Sequence, residues 1–173
     1  MSKYKANAKT PDRCKHKPLR LSVSLNNPGT THEKLSAALE WADKRFDLGM
    51  IVLCDTLNVH NYKLWTNGDR EEAYQMAYGA GNKWIADNKE ILDRYKNKFR
   101  LIRWDSCISA TSFAFALQKI RQLLRDNKIF QKAVYEDICK FLHRNAEVVK
   151  EFGEDKVRAA CIEYLLEELA ADA

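Results

Sequence analysis

The sequence predicts an α/β domain built on a parallel sheet, and three observations carry that expectation. Residues 19–25, LRLSVSL, alternate apolar and polar side chains, the pattern of a strand with two unlike faces. Residues 50–54, MIVLC, are an uninterrupted apolar run, the pattern of a strand covered on both sides. Between them, Leu35, Ala38, Leu39, Ala42 and Phe46 recur at helical spacing. Strand, helix, strand of this kind is a βαβ unit, and it implies a right-handed crossover.

The remaining elements follow from local signals. Residues 1–18 are a basic tail, expected to be flexible and closing at Pro18. Asn26-Asn27-Pro28-Gly29 is a turn of residues that tolerate unusual backbone angles. Thr30 and Glu33 have capping-box spacing and open a helix over about 31–46, which Gly49 stops. A loop over about 55–69 leads into a long helical stretch, about 70–98. FRLIRW at 99–104 suggests a third strand, and helices are expected at about 108–126, 128–145 and 154–171. Sheet first and helices later points to one three-layer α/β domain of Rossmann type over residues 19–173.

Composition narrows the class. The chain has 173 residues, 46% hydrophobic and 31% charged, enough to bury a core without disulfides or structural metal. No run approaches the roughly 18 apolar residues of a membrane span, and the basic N-terminus lacks the apolar segment of a secretory signal. A cytoplasmic protein with no membrane partner is expected. Five cysteines without a C-x-x-C pair exclude a zinc ribbon and argue against a disulfide scaffold. Cys54, Cys107, Cys139 and Cys161 sit in apolar stretches and are expected to pack in the core, Cys54 being the one to check for reactivity. The four histidines are scattered, so no metal site is expected. Neither G-x-G-x-x-G after the first strand nor G-x-x-x-x-G-K-[ST] occurs, which leaves a dinucleotide or P-loop site without support.

Charge is unevenly distributed. Net charge is +5, yet residues 147–173 hold 8 acidic and 3 basic side chains. Positive charge gathers in the N-terminal segment and at Arg94, Lys96, Lys98, Arg100 and Arg103, a stretch with no acid. Such clusters suit a phosphate backbone, because neutralising each phosphate releases condensed counterions. A solvated basic surface has the same composition.

In a parallel sheet ligands bind beyond the carboxyl ends of the strands. Ser24 ends the first strand and Cys54-Asp55 the second. A serine there is a candidate nucleophile, and equally a strand-end hydroxyl bonding the turn backbone.

The stretch RLSVSLNNPGTTHEKLSAALEWADKRFDLGMIVLCDT resembles the N-terminal half of the cyclodipeptide synthases, which join the amino acids of two aminoacyl-tRNAs into a cyclic dipeptide. The shared features are a Ser ending the first strand, an Asn three residues later, a W-A-x-x-R-F helix end and a strand closing on Asp-Thr. GNKWIADNKEIL, RWDS and EYLLEELA are similar to further family signatures, in family order, over about residues 19–170. The resemblance implies the catalytic-domain fold of class I tyrosyl- and tryptophanyl-tRNA synthetases without their ATP-binding motifs. It implies Ser24 as the nucleophile that takes the aminoacyl group as an ester, and Asn27 as a group positioning the substrate amine. Tyr164 and Glu168, four residues apart and so on one helical face, match the family's pair: Glu168 holds the ammonium and accepts a proton, and Tyr164 orients and relays. Ser22, Val52 and Leu53 are expected near the first aminoacyl pocket. Lys83, Lys89, Arg94, Lys96, Lys98 and Arg100 lie on or just after the helix that carries the family's tRNA-binding patch. The implied activity is aminoacyl transfer in natural-product biosynthesis with no cofactor and no metal, by a chain expected to be a monomer.

The sequence departs from the family at three places. About a quarter of a family chain follows the Tyr/Glu helix, so the C-terminal part is expected to be missing from these 173 residues. The helix after RWDS offers Phe113 and Phe115, rings without a hydroxyl, where relatives supply a tyrosine. Ser22 stands where relatives mostly have Gly. A non-catalytic domain that binds aminoacyl-tRNA or RNA is therefore the alternative, and a serine hydrolase of aminoacyl esters a third.

Overall fold

A computed structural model describes residues 17–25 and 31–173. In chain order the elements are β1 (Leu19–Val23), α1 (His32–Asp43), β2 (Gly49–Leu53), a 3-10 turn (Thr56–Asn58), α2 (Val59–Tyr62), α3 (Arg70–Asp87), α4 (Lys89–Tyr95), β3 (Phe99–Arg103), α5 (Trp104–Ile108), α6 (Thr111–Asp126), α7 (Lys128–Arg144), α8 (Ala146–Phe152) and α9 (Glu154–Asp172). They divide into two compact units. The first runs to Asp55 and resumes over Tyr78–Trp104; the second comprises Thr56–Ala77 and Asp105–Ala173.

In the first unit the strands form a parallel sheet in the order β1-β2-β3, the α/β Rossmann-like arrangement expected from the sequence. Register explains the alternation. Leu19, Gly49 and Phe99 share one row, Leu21, Ile51 and Leu101 the next, and Val23, Leu53 and Arg103 the third. On that face the apolar members pack with Leu35, Leu39, Ala42 and Phe46 from α1 and its end, Ile91 from α4, and Trp84 and Ile85 from α3. Each fully buried side chain of the size of Leu39 or Ile51 contributes roughly 1.5–3 kcal/mol of transfer free energy. Gly49 opens β2 instead of stopping α1. A Cβ there would lie 2.7 Å from the Leu19 carbonyl oxygen and 3.0 Å from the Phe99 ring, so only glycine lets the three strands start level.

The second unit is helical. Val134, Ile138, Val157 and Cys161 form its main core, with Phe130, Phe141, Phe152 and Leu165 packed around them. Val59, Ala73 and Ala77 form a smaller cluster with Tyr62 and Tyr74. Asn127 starts α7, its side-chain oxygen accepting from the backbone N–H groups of Ile129 and Phe130, both at 3.0 Å.

Several expectations are corrected. Helix 70–98 breaks at Asn88, a buried residue whose amide donates to the Trp84 carbonyl at 2.8 Å and draws the chain out of helical geometry. The 55–69 segment contains a buried 3-10 turn and α2, because Leu57 and Val59 face apolar surroundings. Trp104 begins α5 instead of ending β3. Thr31, without a side-chain cap bond, is the N-cap of α1; Thr30 lies outside the described residues. Cys139 is exposed and Cys107 half-buried, whereas Cys54 and Cys161 are core residues. Most of the expected basic tail, residues 1–16, also lies outside the described residues.

Candidate functional site

β1 delivers the candidate nucleophile. Val23 and Leu25 pack into the α1 side of the sheet, so Ser22 and Ser24 point to the other side. Ser24 is half-buried immediately past the strand, where the Val23 carbonyl still accepts from Cys54 N–H at 2.9 Å. Ser22 is exposed and pairs in register with Val52, which is fully buried; these two residues share a face. Leu53 faces the opposite way, into the α1 cluster. Asn27 lies outside the described residues.

The carboxyl ends of β2 and β3 are joined by a polar node that sequence reasoning did not anticipate. Arg103 occupies a core row, and Asp55, fully buried, answers it. Arg103 Nε donates to Asp55 Oδ2 at 2.6 Å, and Nη2 forms an ion pair with the same oxygen. Nη1 donates to Asn82 Oδ1 at 2.7 Å and Nη2 to the Tyr78 carbonyl at 3.0 Å, with the guanidinium carbon 3.5 Å from the Tyr78 ring centroid. Gly81 allows α3 this close: a Cβ there would fall 2.7 Å from Arg103 Nη2 and closer still to Asp55 Oδ2. The D-T, G-N-x-W and R-W-D-S signatures thus meet in space. The available signal was two opposite charges, each ending an apolar run. In the second unit Asp105 accepts from Thr56 Oγ1 at 2.7 Å and from the Tyr74 hydroxyl at 2.8 Å, which anchors the start of the 3-10 turn.

α9 carries Tyr164 and Glu168. The stripe that buries Val157 and Cys161 continues seven residues on with these two, so a phenol and a carboxylate occupy what is otherwise a core-facing line. Both are half-buried. Polar groups on a core stripe are expected where function overrides packing. Burial pushes the Cys161 thiol, one turn before Tyr164, up to about 11. One position from Glu168, Glu167 Oε2 lies 2.9 Å from His60 Nε2 on α2, and Glu163 pairs with Arg121 of α6 at 2.7 Å.

The candidate phosphate-binding residues are mostly paired on the surface. Lys83 meets Asp87 at 2.7 Å, Lys89 and Lys96 share Asp93, and Lys98 meets Asp43 at 3.1 Å. The Lys89 ammonium holds the Asp93 carboxyl below its ordinary range. Among the described residues Arg94 and Arg100 have no acidic partner. α3 itself has two basic and three acidic side chains and α4 two of each, so positive charge concentrates over Arg94, Lys96, Lys98 and Arg100, from the end of α4 into β3. There a groove of about 470 Å³ is lined by Lys89, Lys96 and Arg100 over Ile85, Leu92 and Phe99. Such exposed pairs contribute about 0–1 kcal/mol and exchange partners readily.

Among the described residues no group of His, Cys, Asp and Glu could hold a metal ion, and no helix is long and apolar enough to cross a membrane.

No family model matches the sequence, and neither does any curated protein. Solved structures do match. A cyclodipeptide synthase from Fluoribacter dumoffii superposes with a TM-score of 0.82 at 22% identity, over 88% of this chain and 68% of that one. The cyclodipeptide synthase from Candidatus Glomeribacter gigasporarum, solved bound to Phe-tRNAPhe, gives 0.68 at 24% identity, over 89% of this chain and 71% of that one. A Mycobacterium tuberculosis protein, one of the cyclodipeptide synthetases described as related to type I tRNA synthetases, gives 0.69 at 15% identity, over 91% and 66%. The chain therefore has the fold of the cyclodipeptide synthases, an α/β Rossmann-like fold.

Proposed function

We propose that this chain is the Rossmann-like body of a tRNA-dependent cyclodipeptide synthase, an aminoacyltransferase acting in the cytoplasm. The observation that carries the reading is the TM-score of 0.82 over 88% of the chain, together with a serine at the carboxyl end of β1. Ser24 Oγ attacks the ester carbon of a first aminoacyl-tRNA. The Oγ–C bond forms, the bond to the ribose 3′ oxygen breaks, and the serine proton ends on that oxygen. The amine of the tethered residue next attacks the ester of a second aminoacyl-tRNA and releases its tRNA, leaving a dipeptide on Ser24. The terminal amine then attacks the Ser24 ester, closing a 2,5-diketopiperazine and returning the proton to Oγ.

Each ester is already activated, so no ATP is required. The chain supplies proximity and proton handling. Glu168 holds the ammonium and takes its proton, while Tyr164 and Asn27 orient the amine. Ser22 and Val52 border the first aminoacyl pocket, whereas Leu53, turned into the α1 cluster, supports it from behind. Lys83, Lys89, Arg94, Lys96, Lys98 and Arg100 meet tRNA phosphates, which position the tRNA without reading its sequence.

The test is mass spectrometry of extracts from cells expressing the chain. Cyclic dipeptides that vanish in Ser24→Ala support the reading. RNA binding with no product from either form points to a non-catalytic tRNA-binding domain, and release of free amino acid from aminoacyl-tRNA points to a hydrolase.

A further inference from the structure

α9 presents Tyr164 and Glu168 on the line that buries Val157 and Cys161, and it buries apolar residues on a second side as well. Val157, Cys161 and Leu165 lie along one side and Leu166 and Ala170 along nearly the opposite one. Of these five, all but Leu165 are buried, and Leu165 packs against the main core of the second unit. Burial is non-directional, so it fixes the fine rotation of a helix with two apolar sides less sharply than a hydrogen bond does. Hydrogen bonds are directional. Glu163 and Glu167 lie along one line of α9, and each pairs with a neighbouring helix. Glu163 with Arg121 is exposed on both sides, at 46% and 48%, and so contributes little. Glu167 with His60 is mostly buried, at 18% and 17%, which makes it the stronger of these two pairs.

His60 is itself firmly held. It belongs to the segment that leaves β2, where Leu57 is fully buried, Asn58 accepts from Asn61, and Thr56 is bonded to Asp105. A rigid element therefore grips α9 at Glu167, three residues past Tyr164 and one before Glu168.

We infer that His60, through its hydrogen bond to Glu167, is a positioning residue that sets the roll of α9 and so aims Tyr164 and Glu168. The inference rests on the proposed function for its catalytic consequence, though not for its structural one.

Two measurements separate these. The first is the rate of cyclic dipeptide formation by the parent chain, His60→Ala and His60→Gln. The second is the fluorine resonance of 3-fluorotyrosine placed at residue 164, with Tyr135 on the exposed side of α7 as the control. His60→Ala is expected to lower kcat by about tenfold or more, with KM for aminoacyl-tRNA unchanged, since small displacements near reacting groups are heavily penalised. It is also expected to shift or broaden the residue-164 signal alone. His60→Gln, which can place an amide N–H near the Nε2 position, restores both. An unmoved residue-164 signal in His60→Ala overturns the inference. So does a loss that follows the melting temperature and is not recovered by glutamine. If the parent makes no cyclic dipeptide, the proposed function fails and the fluorine signal alone decides whether His60 sets the roll.

Discussion

Replacing Arg103 with Met would leave the Asp55 carboxylate fully buried with Trp104 N–H, at 3.4 Å, as its remaining donor among the described residues. Methionine keeps much of the side-chain volume, so the perturbation is mainly loss of charge. Breaking a buried pair from one side typically costs about 3–5 kcal/mol, because the other charge stays desolvated. That is a large share of the roughly 5–15 kcal/mol that holds a domain folded. The double variant Asp55→Asn/Arg103→Met removes both charges and should recover most of the loss. A coupling energy above about 2 kcal/mol between the two sites is expected. Urea unfolding followed by tryptophan fluorescence measures this directly, since Trp41, Trp84 and Trp104 all belong to the first unit. Gly81→Ala should be destabilising through the same node, because its Cβ intrudes on Asp55 and Arg103. A loss below about 1 kcal/mol in Arg103→Met, or additive effects of the two substitutions, would refute the reasoning.

Three further outcomes are expected. Asn127→Ala removes the two cap bonds of α7 and should lower stability by about 1 kcal/mol, read as a shift of the denaturation midpoint with unchanged slope. With its folded-state thiol at about 11, Cys161 releases its proton later than in the unfolded chain, where a thiol titrates near roughly 8.5. The stability it supplies is therefore present below about pH 8.5 and fades as pH climbs towards 11. The stability difference between the parent and Cys161→Ala should shrink over that window, and a constant difference would count against it. Arg94→Ala and Arg100→Ala should weaken RNA binding and reduce the slope of log K against log salt by about 1 each, whereas a neutral surface exchange should leave the slope alone.

Much of the first unit was legible in the sequence because its elements obey local rules. LRLSVSL alternates because one face of β1 meets α1, and MIVLC does not because its last residues, Val52, Leu53 and Cys54, are buried whichever side they face. What local pattern does not reveal is register. That Arg103 shares a row with Leu53, and so meets Asp55, depends on pairing between strands about 50 residues apart. His60 and Glu167 are 107 residues apart, and neither looks unusual in its own segment. The break at Asn88 was hidden for a different reason: asparagine is tolerated in helices, and only its bond to the Trp84 carbonyl distinguishes a break from a continuation. For the candidate site, the seven-residue spacing of Val157 with Tyr164 and of Cys161 with Glu168 was present in the sequence. It acquires meaning once Val157 and Cys161 are known to be core residues.

The most direct measurement is the intact mass of the chain after mixing with aminoacyl-tRNA and rapid acid quenching. A covalent gain of one aminoacyl group, absent from Ser24→Ala and reversed by mild base, is the predicted result. No adduct in the parent, or an adduct that persists in Ser24→Ala, would contradict a mechanism routed through that hydroxyl.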